Sequence, residues 1–554
     1  MKRTWWKESV IYQIYPRSFN DTTGNGIGDI PGIIQKLDYI KSLGVDVIWL
    51  CPVYESPNDD NGYDISDYRK ISAEFGGQDA FNELLDKVHG YGMKLVMDLV
   101  ANHSSDEHFW FTEAKKSKDN PYRDYYIWKD GKGDQPPNNW VSFFSGSAWK
   151  KDDTTNQYFL HLFTKKQPDL NWENPKVRQE IYDIIEFWSE KGVDGFRMDV
   201  ISLISKLQDF PPLDTSDYGE IIRSYYANGP RIHEYLHEMN QKVLSKYDIM
   251  TVGEGPGIDL ENGPLYVNED REELNMVFHF DHMFIDNGPL GKYDPVAVNL
   301  PRFKKVFSDW DKRLHPKGWG SIFLGNHDFS RMVSRFGNDG EYRTQSAKLL
   351  AALLLTLRGT PYIYQGDEIG MTNVAFSTID DYNDVETVNA WKEAEASGRD
   401  MKKFLNGVHR QSRDNARTPM QWDASAYAGF SDHKPWLQIN PNYKSVNVAA
   451  AEDSVDSILQ FYKEMISLRK EYSTLVYGDF KDLAPEHLQL FVYVRKDEAA
   501  EFLILHNFSE EEVTWPDMPK LDQYKLLKSN YASAEASKTL QPWQTKIFLK
   551  QRNS

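Results

Sequence analysis

Short apolar runs alternate with amphipathic helical patterns along most of this 554-residue chain, and no other feature limits its possible folds as tightly. Such alternation builds a parallel sheet with helical crossovers. Eight strand candidates follow in order: Val10–Tyr15, Val45–Leu50, Lys94–Val100, Gly195–Val200, Ile249–Glu254, Met276–Phe280, Ser321–Gly325 and Pro361–Gln365. Several are apolar without alternation, as expected of strands covered on both faces. Eight strands with crossovers point to an α/β fold of the closed (β/α)8, or TIM-barrel, kind rather than an open sheet.

The helices between them carry end signals. Asn174-Pro175 supplies a cap and a first-turn proline, Val177, Ile181, Ile184, Ile185 and Trp188 form one apolar stripe, and Gly192 ends it. Asp79 is expected to cap a second helix bearing Phe81, Leu84, Leu85 and Val88, with Gly90 beyond its end. Two segments break the rhythm. Residues 104–169, rich in Trp, Tyr, Lys and Asp, read as a loop-rich subdomain inserted after the third strand. Residues 373–422 form a polar excursion after the eighth. Both leave the C-terminal face of the barrel, where active sites of this fold sit. The barrel domain then comprises residues 1–103 and 170–476. From residue 477 the segments LQLFVYVRKD, EFLILHNFS and TKIFLK mark a C-terminal all-β domain, read as a β-sandwich over 477–554.

Lys and Arg number 64 against 83 Asp and Glu, a net charge of −19. Such a surface repels nucleic acid and anionic lipid, which excludes both as partners. Cys51 is the only cysteine, so no internal disulfide can form and a reducing compartment fits. The opening MKRTWWKESVIYQIYP holds no apolar signal core, and no apolar run reaches membrane length. A cytoplasmic monomer with no membrane or nucleic-acid partner is expected.

Four short segments end strand candidates: DLVANH (98–103), GFRMDV (195–200), VGE (252–254) and GNHD (325–328). Side chains alternate along a strand, so Arg197 and Asp199 point the same way, into the barrel mouth. An arginine two residues away keeps a buried carboxylate ionised, as a nucleophile must be. The same pair equally fits an ion pair locking the barrel rim. The set is more specific than its parts. Glycoside cleavage needs one carboxylate to attack and one carboxylic acid to protonate the leaving oxygen, and retaining enzymes hold them about 5–5.5 Å apart. Asp199 and Glu254, ending the fourth and fifth strands, meet that demand. His103 and His327 add donors suited to sugar hydroxyls.

These segments, with WWKESVIYQIYPRSF, SPNDDNGYDISDY, KKQPDLNWENPKVR, GTPYIYQGDEIGMTN and RDNARTPMQWD, resemble glycoside hydrolase family 13, the α-amylase family, across essentially the whole chain. The likeness is greatest to its oligo-1,6-glucosidase and dextran glucosidase group. The resemblance implies a retaining, exo-acting α-glucosidase that takes small oligosaccharides and needs no cofactor for its chemistry. It implies that Asp199 is the nucleophile, Glu254 the acid and later base, and Asp328 a clamp on the sugar's secondary hydroxyls. Arg197 would orient Asp199, and His103, His327 and Phe163 would line the same glucose site. Asp60 would grip the non-reducing glucose, Tyr63 stack on it, and Arg413 partner Asp60 in closing the pocket, so that an endo-amylase is disfavoured. Valine after the nucleophile, here Val200, accompanies α-1,6 preference in this group, whereas alanine or threonine accompanies α-1,4 cleavage.

The chain departs from the group at Gly255, where a larger residue is common, at Gly325, where asparagine is usual, and at Phe329-Ser330, which replace a more polar pair containing proline. These positions cluster where the leaving group should bind, and leave sucrose, panose or a longer isomaltooligosaccharide open as substrates. The loop Asp21, Thr23, Asn25, Ile27 and Asp29 resembles the family's calcium site with weaker ligands, so a structural calcium there is weighed against a metal-free glycine-rich turn. Alternatives on the same scaffold are a sucrose isomerase or transglucosidase and an α-1,4-preferring glucosidase. A non-catalytic transporter partner or carbohydrate-binding relative is disfavoured by the intact triad.

Overall fold

The structure, a computed structural model, describes residues 2–516, 521–532 and 535–552. Eight parallel strands form the central sheet: β1 (Ile11–Ile14), β2 (Val47–Leu50), β3 (Lys94–Val100), β4 (Gly195–Asp199), β5 (Met250–Glu254), β6 (Met276–Phe278), β7 (Ser321–Ile322) and β8 (Thr360–Tyr364). Along the sheet they run β6, β5, β4, β3, β2, β1, β8, β7, which is chain order taken cyclically, the order of a (β/α)8 barrel. All eight lie on the segments expected from sequence. The main differences are at the C-terminal ends, where the chain leaves the sheet earlier: β7 pairs for two residues only, and Val200 already stands in the left-handed region at φ 36°. Nearly every residue of these strands is buried, which is why their sequences lack alternation.

Helix Pro175–Glu190 begins as expected, with the Asn174 side chain accepting from Lys176 N, and Gly192 follows at φ 101°. The helix carrying Phe81, Leu84, Leu85 and Val88 begins earlier than expected and runs Gly77–Gly90. Asp79 is therefore not its cap but lies in its first turn, where its charge meets the positive helix end. A turn at Ala73–Phe75, with Ser72 accepting from Glu74 N, sets the entry instead; Gly76 (φ 105°) and Gly77 (φ 71°) then take backbone angles that a side chain would strain.

The chain folds as two compact units, residues 1–48, 281–383 and 400–554, and residues 49–280 with 384–399. In the second, residues 128–160 hold a small antiparallel sheet, Trp128–Asp130, Gln157–Leu160 and Trp149–Asp152, over an apolar cluster that includes Trp140, Trp149, Leu160, Tyr226 and Val200. In the first, a five-stranded antiparallel sheet closes the chain: Asp479–Asp482, Leu490–Lys496, Ala500–Asn507, Thr545–Gln551 and Lys525–Ser529 in spatial order. One face, with Leu490, Val492, Leu503, Leu505 and Phe548, packs on Val513 and Leu540 of a two-stranded ribbon and on Trp515 just after its first strand. From the other, Tyr493 reaches the Thr356 hydroxyl at 2.6 Å, at the end of the almost wholly buried helix Arg343–Thr356.

Two buried arginines fasten this junction through main-chain acceptors. Arg469 donates to the carbonyls of Leu355, Leu357, Leu475 and Gly359. Arg495 donates to those of Thr356, Leu475, Val476 and Gly478. The last carbonyls of a helix lack intrahelical partners, and these cations satisfy them. Burial and mutual repulsion lower the pKa of Arg469 to about 9, and burial that of Arg495 to about 10. Among the described residues no helix is long and apolar enough to cross a membrane. Arg469→Met takes the arginine donor from the buried carbonyls of Leu355, Leu357 and Gly359, leaving only that of Leu475 to Arg495, and is expected to destabilise the protein by about 3 kcal/mol or more, read as a lower denaturation midpoint.

Candidate active site

Arg197, in the middle of β4, has almost no access to water and is surrounded by carboxylates. Its Nη1 meets Asp98 Oδ1 at 2.5 Å and Asp199 Oδ1 at 2.7 Å, while Nη2 meets Glu254 Oε2 at 2.8 Å. The register that sets Gly253 opposite Met198 makes Asp199 and Glu254 the terminal residues of adjacent parallel strands. One planar fork thus brings the two together. Burial alone would favour a neutral guanidine, but Asp98, Glu254, Tyr63 and Asp199 more than offset it and hold Arg197 well above its ordinary value. Burial pushes Asp98 up to about 6 against the pull of Arg197 and the Trp49 indole. Three carboxylates facing one guanidinium carry excess negative charge, which favours retaining a proton in the cluster.

Asp98 opens the DLVANH segment, yet its sequence context assigns it no part; its signal was its place on β3, next to β4, facing a buried arginine. Trp49 Nε1 donates to it at 2.9 Å. The rings of Trp49 and Tyr63 flank the guanidinium, with centroids 5.4 and 5.6 Å away. Val200, next after Asp199, donates its N–H to Glu254 Oε2 at 3.0 Å. A β-branched residue in the left-handed region is strained by about 1–3 kcal/mol, and here the strain turns the chain sharply out of β4.

A second row of residues in the same unit starts at Asp60. Buried Asp64 accepts the N–H groups of Asp59 and Asp60, bending the turn that presents Asp60. Gln167 Nε2 donates to Asp60 Oδ2 at 3.1 Å and lies 3.3 Å from His103 Nε2. Gln167, fully buried within the KKQPDLNW stretch, is the residue that ties Asp60 to His103, and sequence reasoning missed it. The Phe163 ring sits 4.9 Å from that of His103. Burial lowers the His103 pKa to about 4, so its imidazole is neutral near pH 7. Behind it Lys206 forms a buried ion pair with Asp169 at 2.8 Å and donates to Asn102.

The other unit carries Asp328, whose side chain keeps 24% of its surface exposed. Arg417 and Arg413 approach its Oδ1 at 2.8 and 3.2 Å, and His327 Nε2 its Oδ2 at 3.0 Å. His327 is held in turn by Gln13 Nε2 at 2.8 Å and by stacking on Tyr15. Arg417 was not singled out from sequence, although the RDNAR spacing places it one helical turn after Arg413. Of the departures from the family pattern, Gly255 has a packing reason: a Cβ there would lie 2.5 Å from Ile258 Cδ1. Gly325 has room for a side chain.

In the loop considered for calcium, Asp21 Oδ1 accepts from the N–H groups of Thr23 and Gly24, and its Oδ2 from Gly26 N–H and the Ser431 hydroxyl. Burial raises the Asp21 pKa, but these donors outweigh it and hold the carboxyl below its ordinary value. Asp29 accepts from Thr22 and caps helix Ile30–Gln35 through Gly32 N–H, and Asn25 accepts from Ile27. Among the described residues no group of three or more His, Cys, Asp or Glu side chains is disposed to hold a metal ion. The donor set, with its carboxylate oxygens engaged and neutral Thr23 and Asn25 between them, does not fit calcium, whose affinity tracks ligand charge.

The chain matches the α-amylase catalytic-domain family over residues 13–478. It is 54% identical to an oligo-1,6-glucosidase of Parageobacillus thermoglucosidasius, over 99% of both chains, and 53% identical to one of Bacillus cereus, over 99% of this chain and all of that one. Among solved structures it is similar to an isomaltulose synthase of Klebsiella sp. LX3, with a TM-score of 0.96 and 44% identity over the whole of both chains. Because main-chain donors already hold the Asp21 loop, chelator is expected to leave the melting temperature where it stands in calcium; a clear fall in chelator, restored by calcium, would show an ion in the loop.

Proposed function

The chain belongs to the α-amylase family, and from that premise we propose that it is a retaining α-glucosidase releasing glucose from the non-reducing end of short α-1,6-linked oligosaccharides such as isomaltose and panose. The observation that carries the reading is the Arg197 fork, which holds two carboxylates at adjacent strand ends. The likeness to two oligo-1,6-glucosidases, at 53% and 54% identity, supports the linkage.

In this reading Asp199 attacks the anomeric carbon while Glu254 gives its proton to the glycosidic oxygen. The C–O bond to the leaving sugar breaks as the bond to Asp199 forms, leaving a β-glucosyl ester. Glu254, now ionised, takes a proton from water, whose oxygen displaces Asp199 and completes a second inversion, so the α configuration is retained. Arg197 keeps Asp199 anionic and aimed. Asp328, braced by Arg413, Arg417 and His327, has the role of gripping secondary hydroxyls of glucose, and neutral His103 offers or accepts a hydrogen bond without adding charge. Asp60, Tyr63 and Phe163 line the non-reducing end. The fixed backbone of Val200 sets a branched side chain beside the leaving sugar, which is the steric basis for preferring the 1,6 linkage. A single buried cysteine leaves the fold with no disulfide to form, which suits a cytoplasmic enzyme.

A second reading, glucosyl transfer or sucrose isomerisation, is favoured by the 44% identity to an isomaltulose synthase; it uses the same ester and differs only in the acceptor. Chromatography of products from isomaltose, panose, maltose and sucrose separates the two. Glucose from isomaltose and panose is expected, whereas an isomeric disaccharide as the main product from sucrose would favour transfer, and turnover of maltose without isomaltose would overturn the linkage. Asp199→Asn is expected to lower kcat by roughly 10⁴-fold or more. Val200→Ala removes the branch on which that steric basis rests, and should raise the maltose-to-isomaltose ratio of kcat/KM about five- to tenfold.

A further inference from the structure

The two arginines that brace Asp328 belong to one short helix, Asp414–Arg417, with Arg413 just before it. A helix of four residues does not hold itself, so its place is set by what its backbone is tied to. Arg417 Nε donates to the His327 carbonyl at 2.9 Å, and the Arg417 carbonyl accepts from the Ser18 hydroxyl at 2.6 Å. The preceding carbonyl, of Ala416, takes two further donors: the Tyr364 hydroxyl at 2.8 Å and Arg331 Nη2 at 3.1 Å. Arg331 Nη1 donates to the Gln365 carbonyl at 2.5 Å, and the guanidinium lies 5.0 Å from the centre of the Tyr364 ring. The Arg331 N–H goes to Asn373 Oδ1 at 2.9 Å, while the Asn373 amide donates to the carbonyls of His409 and Arg410, shortly before Arg413. Arg331 is buried, and it follows Asp328 by three residues.

We propose that Arg331 is a positioning residue for Asp328: by tying the Ala416 carbonyl to the end of β8, it sets the two arginines that fix the Asp328 carboxylate. The connections close a ring. Asp328 leads along the chain to Arg331, Arg331 reaches Ala416, and the residues on either side of Ala416 return to Asp328. Arg469 and Arg495 also hold carbonyls, but theirs lie beneath the last sheet, whereas the carbonyl held by Arg331 stands between the partners of Asp328. A group that acts in the transition state is sensitive to such aim, since a misplacement of about 1 Å can cost on the order of 10²-fold. The proposal rests on the glucosidase reading, in which Asp328 grips secondary hydroxyls, and adds how that grip is aimed.

The test is a double-mutant cycle on kcat for p-nitrophenyl α-glucoside. Arg331→Lys keeps the charge but not the planar fork that spans two carbonyls. It is expected to lower kcat roughly tenfold with KM within about threefold, yet to change kcat less than about twofold in a protein that already carries Asp328→Asn, because the group it aims is then gone. Tyr364→Phe removes only the other donor to Ala416 and keeps the ring; a loss of roughly threefold is expected, again only while Asp328 is present. Equal losses with and without Asp328 would show a general packing role and overturn the proposal, as would an Arg331→Lys kcat within about twofold of the unaltered protein. If Arg331→Lys does not fold, the Tyr364→Phe pair decides by the same comparison. Failure of the unaltered protein to release p-nitrophenol would overturn the glucosidase reading itself. An unchanged kcat in Asp328→Asn would remove Asp328 from that reading, and Arg331 with it.

Discussion

One guanidinium at the centre of β4 sets the terms for everything around it. Arg197 is shut off from water, so its charge survives only because Asp98, Asp199 and Glu254 face it, and those carboxylates keep their places only because it is there. Such a buried cluster is costly to assemble and costly to break. The barrel solves the assembly problem by register. Three adjacent parallel strands bring Asp98, Asp199 and Glu254 around one guanidinium, while Trp49 and Tyr63 close its sides. Rigid strands hold the groups more precisely than loops could, and the strained turn at Val200 then sends the chain away at once.

The fold was legible because buried parallel strands and amphipathic crossovers leave a strong imprint. All eight strands lie on apolar runs, four of which lead into or hold DLVANH, GFRMDV, VGE and GNHD. Boundaries were less legible where two local signals compete. Asp79 looks like a cap, yet the glycine pair at 76 and 77 already turns the chain, and the helix starts before the acid can act.

At the candidate site, residues at or shortly beyond strand ends could be read and residues that support them could not. Asp199, Glu254 and Asp328 announce themselves by position. Gln167 and Arg417 do not, because their value lies in which atoms they reach across gaps of 64 and 89 residues, to His103 and Asp328. Asp98 fell between the two, visible in a motif but silent about its partner until the neighbouring strand was in place. The Asp21 loop shows the opposite limit. Its spacing resembles an ion site, but whether oxygens are available depends on where N–H groups point, and the spacing of side chains does not record that.

Arg469 and Arg495 grip only main-chain carbonyls. A clasp of that kind has no particular neighbour to lose: replacing the side chains at 355, 357, 475 or 476 leaves the acceptor oxygens where they were. The two arginines are thus exposed to mutation at themselves alone, and the surrounding leucines are free to drift so long as volume is kept. Lineages can remodel the packing beneath the last sheet without having to co-ordinate changes at a second position.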